Sequence, residues 1–155
     1  MTTPVQALAG IPNACQLLPK VVTGGQPTAA NLAAFKAAGG QVVLDLRDPM
    51  EPRPLDEAAQ ARELGLEYVV APVTPGTMTD ETLGRILRVL REAGERTVFV
   101  HCGSGNRVGG ALLAFLVLDQ EFEEDDAVNQ AMRMGLRSAE LMEWGLDYAR
   151  RHRAG

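Results

Sequence analysis

Two cysteines and two histidines are all this chain has, and Cys15, His101, Cys102 and His152 show none of the paired spacing by which proteins hold zinc. No metal site is expected. Such scarcity also excludes a disulfide framework. A Cys15–Cys102 link could at most be regulatory, and Cys15 reads more simply as a small apolar or loop residue. Positive charge is short as well: 15 Lys and Arg stand against 20 Asp and Glu, giving a net charge of -5 and a pI near 5.0. That leaves no basic face to follow a nucleic-acid backbone. The one basic cluster, Arg150-Arg151-His152-Arg153, reads as a solvated helix end favoured by the macrodipole. Apolar runs are brief, the longest (Val108 to Leu118) being too short to span a bilayer. The opening MTTPVQALAGIPNA lacks the basic start and apolar stretch of a secretory signal. A cytoplasmic protein that binds neither nucleic acid nor membrane is expected.

What is present fits a single domain over residues 1–155, long enough to bury a core without staples. Proline-bearing stretches from Asp48 to Pro54 and from Pro72 to Gly76 read as loops. Thr28 can cap a helix running to Ala38, with Leu32 and Phe35 inward and Gly39-Gly40 ending it. Gln41 to Leu46 (QVVLDL) reads as a buried strand, Leu55 to Leu64 as a helix stopped at Gly65, and Glu67 to Val70 as a second strand. Thr79 or Asp80 caps a helix whose Leu83, Ile86, Leu87 and Leu90 recur at helical spacing. Thr97 to His101 is a third strand, followed by the buried helix Val108 to Leu118 and helices over Glu124 to Met134 and Ser138 to Arg151. Strands alternating with helices predict an α/β fold, a largely parallel central sheet with helices on both faces.

Chemistry concentrates in RTVFV-HCGSGNR-VGGALLAFLVL, a strand, a tight turn and a buried helix. Cys102 ends the strand, where open parallel sheets place their ligands, and the next helix directs free N–H groups at the same spot. Gly103 and Gly105 let successive amides converge into an anion-binding nest. Arg107 adds a planar fork suited to an oxyanion. Together these should hold Cys102 as an accessible thiolate, able to attack an electrophilic phosphorus or sulfur centre. A lone cysteine at a helix-capping turn would be read as inert; the joint context argues otherwise.

HCGSGNR resembles the phosphate-binding loop of the cysteine-dependent tyrosine and dual-specificity phosphatases. The ordered series VTGGQPTAANLAAF, VVLDLRDP, ELGLEYVVAPV and VFVHCGSGNRVGGALLA is similar, over roughly residues 12–120, to a bacterial phosphatase-like domain family. That family occurs alone or fused to metallo-β-lactamase-type hydrolases. The resemblance implies a cysteine-phosphatase-like fold, with Cys102 as nucleophile and Arg107 as anion clamp. It makes the amides of Gly103, Ser104, Gly105, Asn106 and Arg107 the oxyanion cradle, and His101 a support for the cysteine. Gln26 and Arg47 match motifs of the family, and structural roles are the simpler reading of both.

Two departures keep other functions open. Four residues separate Cys102 from Arg107 where phosphatase loops have five, and four is the spacing of rhodanese-type sulfurtransferases. Val108 stands where both families commonly carry a hydroxyl that assists the thiolate as leaving group. A phosphatase also needs a general acid. Asp80 is the candidate, although an Asp at a helix start is more simply a cap, and Asp45 could instead pair with a cation. Aromatic residues are few (5%) and none adjoins the loop, so no phosphotyrosine slot is visible. Expected partners are therefore a phosphorylated or a sulfur-donor substrate, with no cofactor implied; a non-catalytic module binding phosphate or sulfate is the third reading.

Overall fold

The computed structural model describes residues 2–52 and 55–153. Arg53 and Pro54, the end of the first expected loop, lie outside the described residues. The elements run β1 (Cys15–Leu18), β2 (Val21–Gly24), α1 (Ala29–Ala37), β3 (Gly40–Asp45), α2 (Glu57–Leu64), β4 (Glu67–Val70), α3 (Asp80–Ala93), β5 (Thr97–His101), α4 (Asn106–Asp119), α5 (Glu124–Met134) and α6 (Ala139–His152). The strands form one sheet in the order β1-β2-β5-β3-β4, parallel throughout except where β1 meets β2. The α/β expectation holds, with an antiparallel edge strand added. No helix of the described residues is long and apolar enough to cross a membrane.

Alternation along each central strand divides the core in two, because successive side chains point to opposite faces. Val22, Val43 and Phe99 pack with Leu32 and Phe35 of α1, Ala61 of α2 and the N-terminal Leu8 and Ile11. Val42, Leu44, Val98 and Val100 meet the apolar faces of α3 to α6. Helix α4 is buried from Val108 to Val117, as an element apolar all round must be.

Local chemistry sets the helix ends. Thr28 caps α1 in a reciprocal box with Asn31, and Thr79, rather than Asp80, caps α3 by accepting the N–H of Thr82. Helix α2 begins at Glu57, later than the sequence suggested, because the Asp56 side chain caps it by accepting from Ala59. Helix α4 begins earlier, at Asn106, since Gly105 adopts a left-handed conformation (φ 99°) at its N-cap.

Candidate active site

Strand β5 delivers His101 and Cys102 to the C-terminal edge of the sheet, and the chain turns through Gly103, Ser104 and Gly105 into α4. A neighbouring segment braces that turn. Gln26 N–H donates to the Gly103 carbonyl at 3.1 Å, Cys102 N–H to the Gly24 carbonyl at 3.3 Å, and the Asn13 side-chain amide to the Ser104 carbonyl at 2.7 Å. A β-carbon on Gly25 would lie 2.5 Å from the Gly103 oxygen, so only glycine fits there. Gly105 is equally constrained, its α-hydrogens facing the Met134 carbonyl.

The Gly105 N–H donates to Cys102 Sγ at 3.1 Å, so the sulfur faces the positive end of α4. One expectation fails: Cys102 is fully buried rather than accessible, because the turn and its neighbours close around it. Asn106 contributes its backbone position at the start of α4, while its side-chain oxygen accepts from Arg137 N (2.8 Å) and Ser138 N (3.2 Å). That side chain ties the helix start to the entry of α6 and is not turned to a ligand.

Arg107 extends its fork to Glu51, a residue the sequence reading did not single out. Its Nη1 donates to Glu51 Oε1 and its Nη2 to Oε2 at 3.1 Å. Arg107 thereby holds the Glu51 carboxyl below its ordinary range, and Glu51 raises the Arg107 guanidinium in turn. Beside Arg107 opens a cavity of about 210 Å³, whose apolar wall includes Val73, Pro75, Met78 and Leu141.

Behind the cysteine lies a buried charge network. Arg47 donates through Nε (2.9 Å) and Nη2 (2.7 Å) to Asp45, through Nη2 to Glu57 (2.8 Å), and through Nη1 to the Gln26 side-chain oxygen. Tyr68 Oη donates to Asp45 at 2.5 Å. His101 Nε2 lies 2.5 Å from Glu57 Oε2, and Nδ1 lies 3.4 Å from the Cys102 carbonyl. Burial alone pushes the Asp45 carboxyl up, but the Arg47 bonds, the neighbouring His101 ring and the Tyr68 bond together hold it well below the carboxylate range. For Tyr68, burial and then Asp45 push the phenol up. Asp45, Glu57 and His101 bring ligand atoms within 4.8 Å of one another, a spacing a metal could use, yet the Arg47 guanidinium already bonds both carboxylates.

This places Gln26 and Arg47 in the framework, as expected. His101, grouped by the resemblance with the substrate-binding loop as a support for the cysteine, reaches no substrate itself: its ring is wholly buried between Glu57 and the stacked ring of Phe99, and it meets the cysteine through the Cys102 backbone. Asp80 is exposed and engaged elsewhere, its carboxylate accepting two bonds of 2.6 Å from Arg151. Arg151 holds that carboxyl below its usual range. Cys15 pairs across the sheet edge with Thr23, and burial pushes its thiol up.

The same fold recurs among solved structures. A DUF442-family protein from Shewanella putrefaciens CN-32 superposes with a TM-score of 0.83 at 18% identity, over 97% of this chain and 99% of its own. Tk-PTP in its active form matches with a TM-score of 0.78 at 22% identity, over 90% of this chain and 98% of that one. In sequence, a β-lactamase hydrolase-like protein of Agrobacterium fabrum is 26% identical over 111 residues, 69% of this chain. The chain spans about a quarter (26%) of that relative's length. The strand-ending cysteine, its glycine turn and the bracing residues Gly24 to Gln26 all fall within residues 14–143, which match a family described as "DSP-PTPase phosphatase fused to NAD+ kinase", and to that phosphatase-like family the chain belongs.

Proposed function

We infer that the chain is a cysteine-dependent enzyme of the phosphatase type, hydrolysing phosphate monoesters through a Cys102 thiolate. The Gly105 N–H directed at Sγ, at the start of α4, carries this reading. The thiolate attacks phosphorus, the P–O bond to the alcohol breaks, and water then cleaves the phosphocysteine to phosphate. Arg107 and the turn amides would stabilise the equatorial oxygens as charge develops. With Asp80 bound to Arg151 and Glu51 held ionised by Arg107, neither carboxylate stands ready to protonate a poor leaving group. Esters whose alcohol leaves without a proton, such as activated aryl phosphates, suit the site best. A cytoplasmic setting, which keeps the thiol reduced, fits this chemistry.

A sulfurtransferase is the second reading, favoured by the four-residue span from Cys102 to Arg107 and by Val108 in place of a hydroxyl. Here the thiolate takes the outer sulfur of thiosulfate, sulfite departs, and the Cys102 persulfide passes its sulfur to cyanide or a thiol. The reduced protein is incubated with an activated aryl phosphate or with thiosulfate, then weighed intact. Phosphate release that vanadate blocks and Cys102→Ser abolishes is the expected result. One sulfur of added mass on Cys102, with no phosphate released from any ester, would reverse the order of the two readings.

A further inference from the structure

We propose that Glu51 is an internal occupant of the anion clamp, which an incoming anion must displace. The inference rests on Arg107 being that clamp. A carboxylate on a guanidinium fork makes the same two parallel N–H···O bonds as a phosphoryl or sulfuryl group. Glu51 makes that contact here with both its oxygens. It also sits at the cradle: a β-carbon on Gly103 would lie 3.1 Å from Arg107 Nη2 and 3.7 Å from Glu51 Oε2. Meanwhile Cys102 has no exposed surface, as a closed site requires.

Residues 48–52 form the short turn that presents this carboxylate. Glu51 Oε1 accepts from Asp48 N at 2.8 Å, Glu51 N donates to the Asp48 carbonyl at 3.0 Å, and Met50 N donates to the Asp48 side chain at 2.9 Å. The chain enters the turn from Arg47, fixed in the buried network, whereas Met50 at the tip is almost wholly exposed. The turn thus stands at the surface, beside the buried network rather than within it. Glu51 therefore tunes affinity by charge. A dianion must overcome both the Arg107 pair and the repulsion of the displaced carboxylate, and this keeps Arg107 from being held by stray phosphate or sulfate.

Binding of inorganic phosphate to the full chain, followed by calorimetry, tests the idea on wild type, Glu51→Gln, Glu51→Ala and Arg107→Lys. Melting temperatures report whether each variant is folded. Glu51→Gln and Glu51→Ala should bind phosphate about two- to fivefold more tightly than wild type, the range expected when an accessible ion pair no longer competes. If Arg107→Lys loses phosphate while both Glu51 variants bind it no better than wild type, Glu51 only orients the guanidinium, and the inference fails with the clamp intact. If Arg107→Lys binds phosphate as well as wild type, or no form binds it, the clamp reading itself is wrong and the inference falls with it.

Discussion

The α-carbon of Gly25 faces the carbonyl oxygen of Gly103 so closely that a methyl group on it would lie 2.5 Å from that oxygen and 3.0 Å from the Ser104 α-carbon. Both are backbone atoms of the cysteine turn, and neither can rotate away. Gly25→Ala should therefore push the turn off its position, costing about 1–3 kcal/mol of stability, the usual range for overpacking. Turnover per folded molecule should fall at least tenfold, because displacements of this size misplace reacting groups. Denaturant melts and steady-state assays on the same preparation check this; unchanged turnover would show that the turn tolerates the shift.

Arg107→Lys keeps the charge but loses the planar, two-point contact. Because Arg107 is partly exposed and its ion pair with Glu51 lies near the surface, stability should change little. Hydrolysis of an aryl phosphate should drop about a hundredfold, the size of effect seen when an oxyanion donor is lost. A collapse in melting temperature with normal activity per folded molecule would instead make Arg107 a structural residue.

Asp80→Asn should leave phosphate-ester hydrolysis within about tenfold of wild type, even for esters with poor leaving groups. Its carboxylate is committed to Arg151, and the cap of α3 belongs to Thr79. A loss of about a hundredfold confined to poor leaving groups, the signature of a general acid, would place Asp80 in the reaction after all.

The buried network makes stability depend on pH. Asp45 has its carboxyl depressed in the fold, so its contribution is complete above the unfolded value of about 3.9 and is lost as pH falls further. Wild type should lose stability as the medium is acidified below about pH 4. Arg47→Met strands Asp45 and Glu57 without their cation and should cost about 3–5 kcal/mol at neutral pH. Its remaining stability should fall less steeply with acid, since Asp45 is no longer held ionised. Guanidinium titrations at several pH values measure both effects; parallel pH profiles for the two proteins would assign the acid sensitivity elsewhere.

Local signals carried much of this structure. Thr28 and the paired glycines bounded α1, and the Leu83, Ile86, Leu87, Leu90 stripe marked α3; all four stripe residues are buried. The β1–β2 hairpin escaped notice. Its strands are four residues each, β1 is a partly exposed edge, and a register irregularity between Gln16 and Leu18 breaks its alternation. Motifs located His101 and Arg107, but not their carboxylate partners. Glu51 reaches Arg107 across 56 positions and Glu57 reaches His101 across 44, so no local pattern links them. One clue was legible: Asp45 stands inside the apolar run VVLDL, and a carboxylate at a buried strand position needs a cation to stay there. Accessibility of Cys102 could not be read at all, because burial depends on how distant segments close around a turn.

Strand β5 lies in the middle of the sheet, flanked by β2 and β3, with α4 buried beneath a ring of other helices. Backbone amides in such a position exchange with solvent only when the whole molecule opens. Fraying of the β1 edge, or excursions of residues 48–52, would leave the cysteine turn still held at both ends. The backbone of the cysteine turn thus shares the lifetime of the native state itself, and activity measured during slow denaturation should disappear together with the last protected amides of Val98 to Val100.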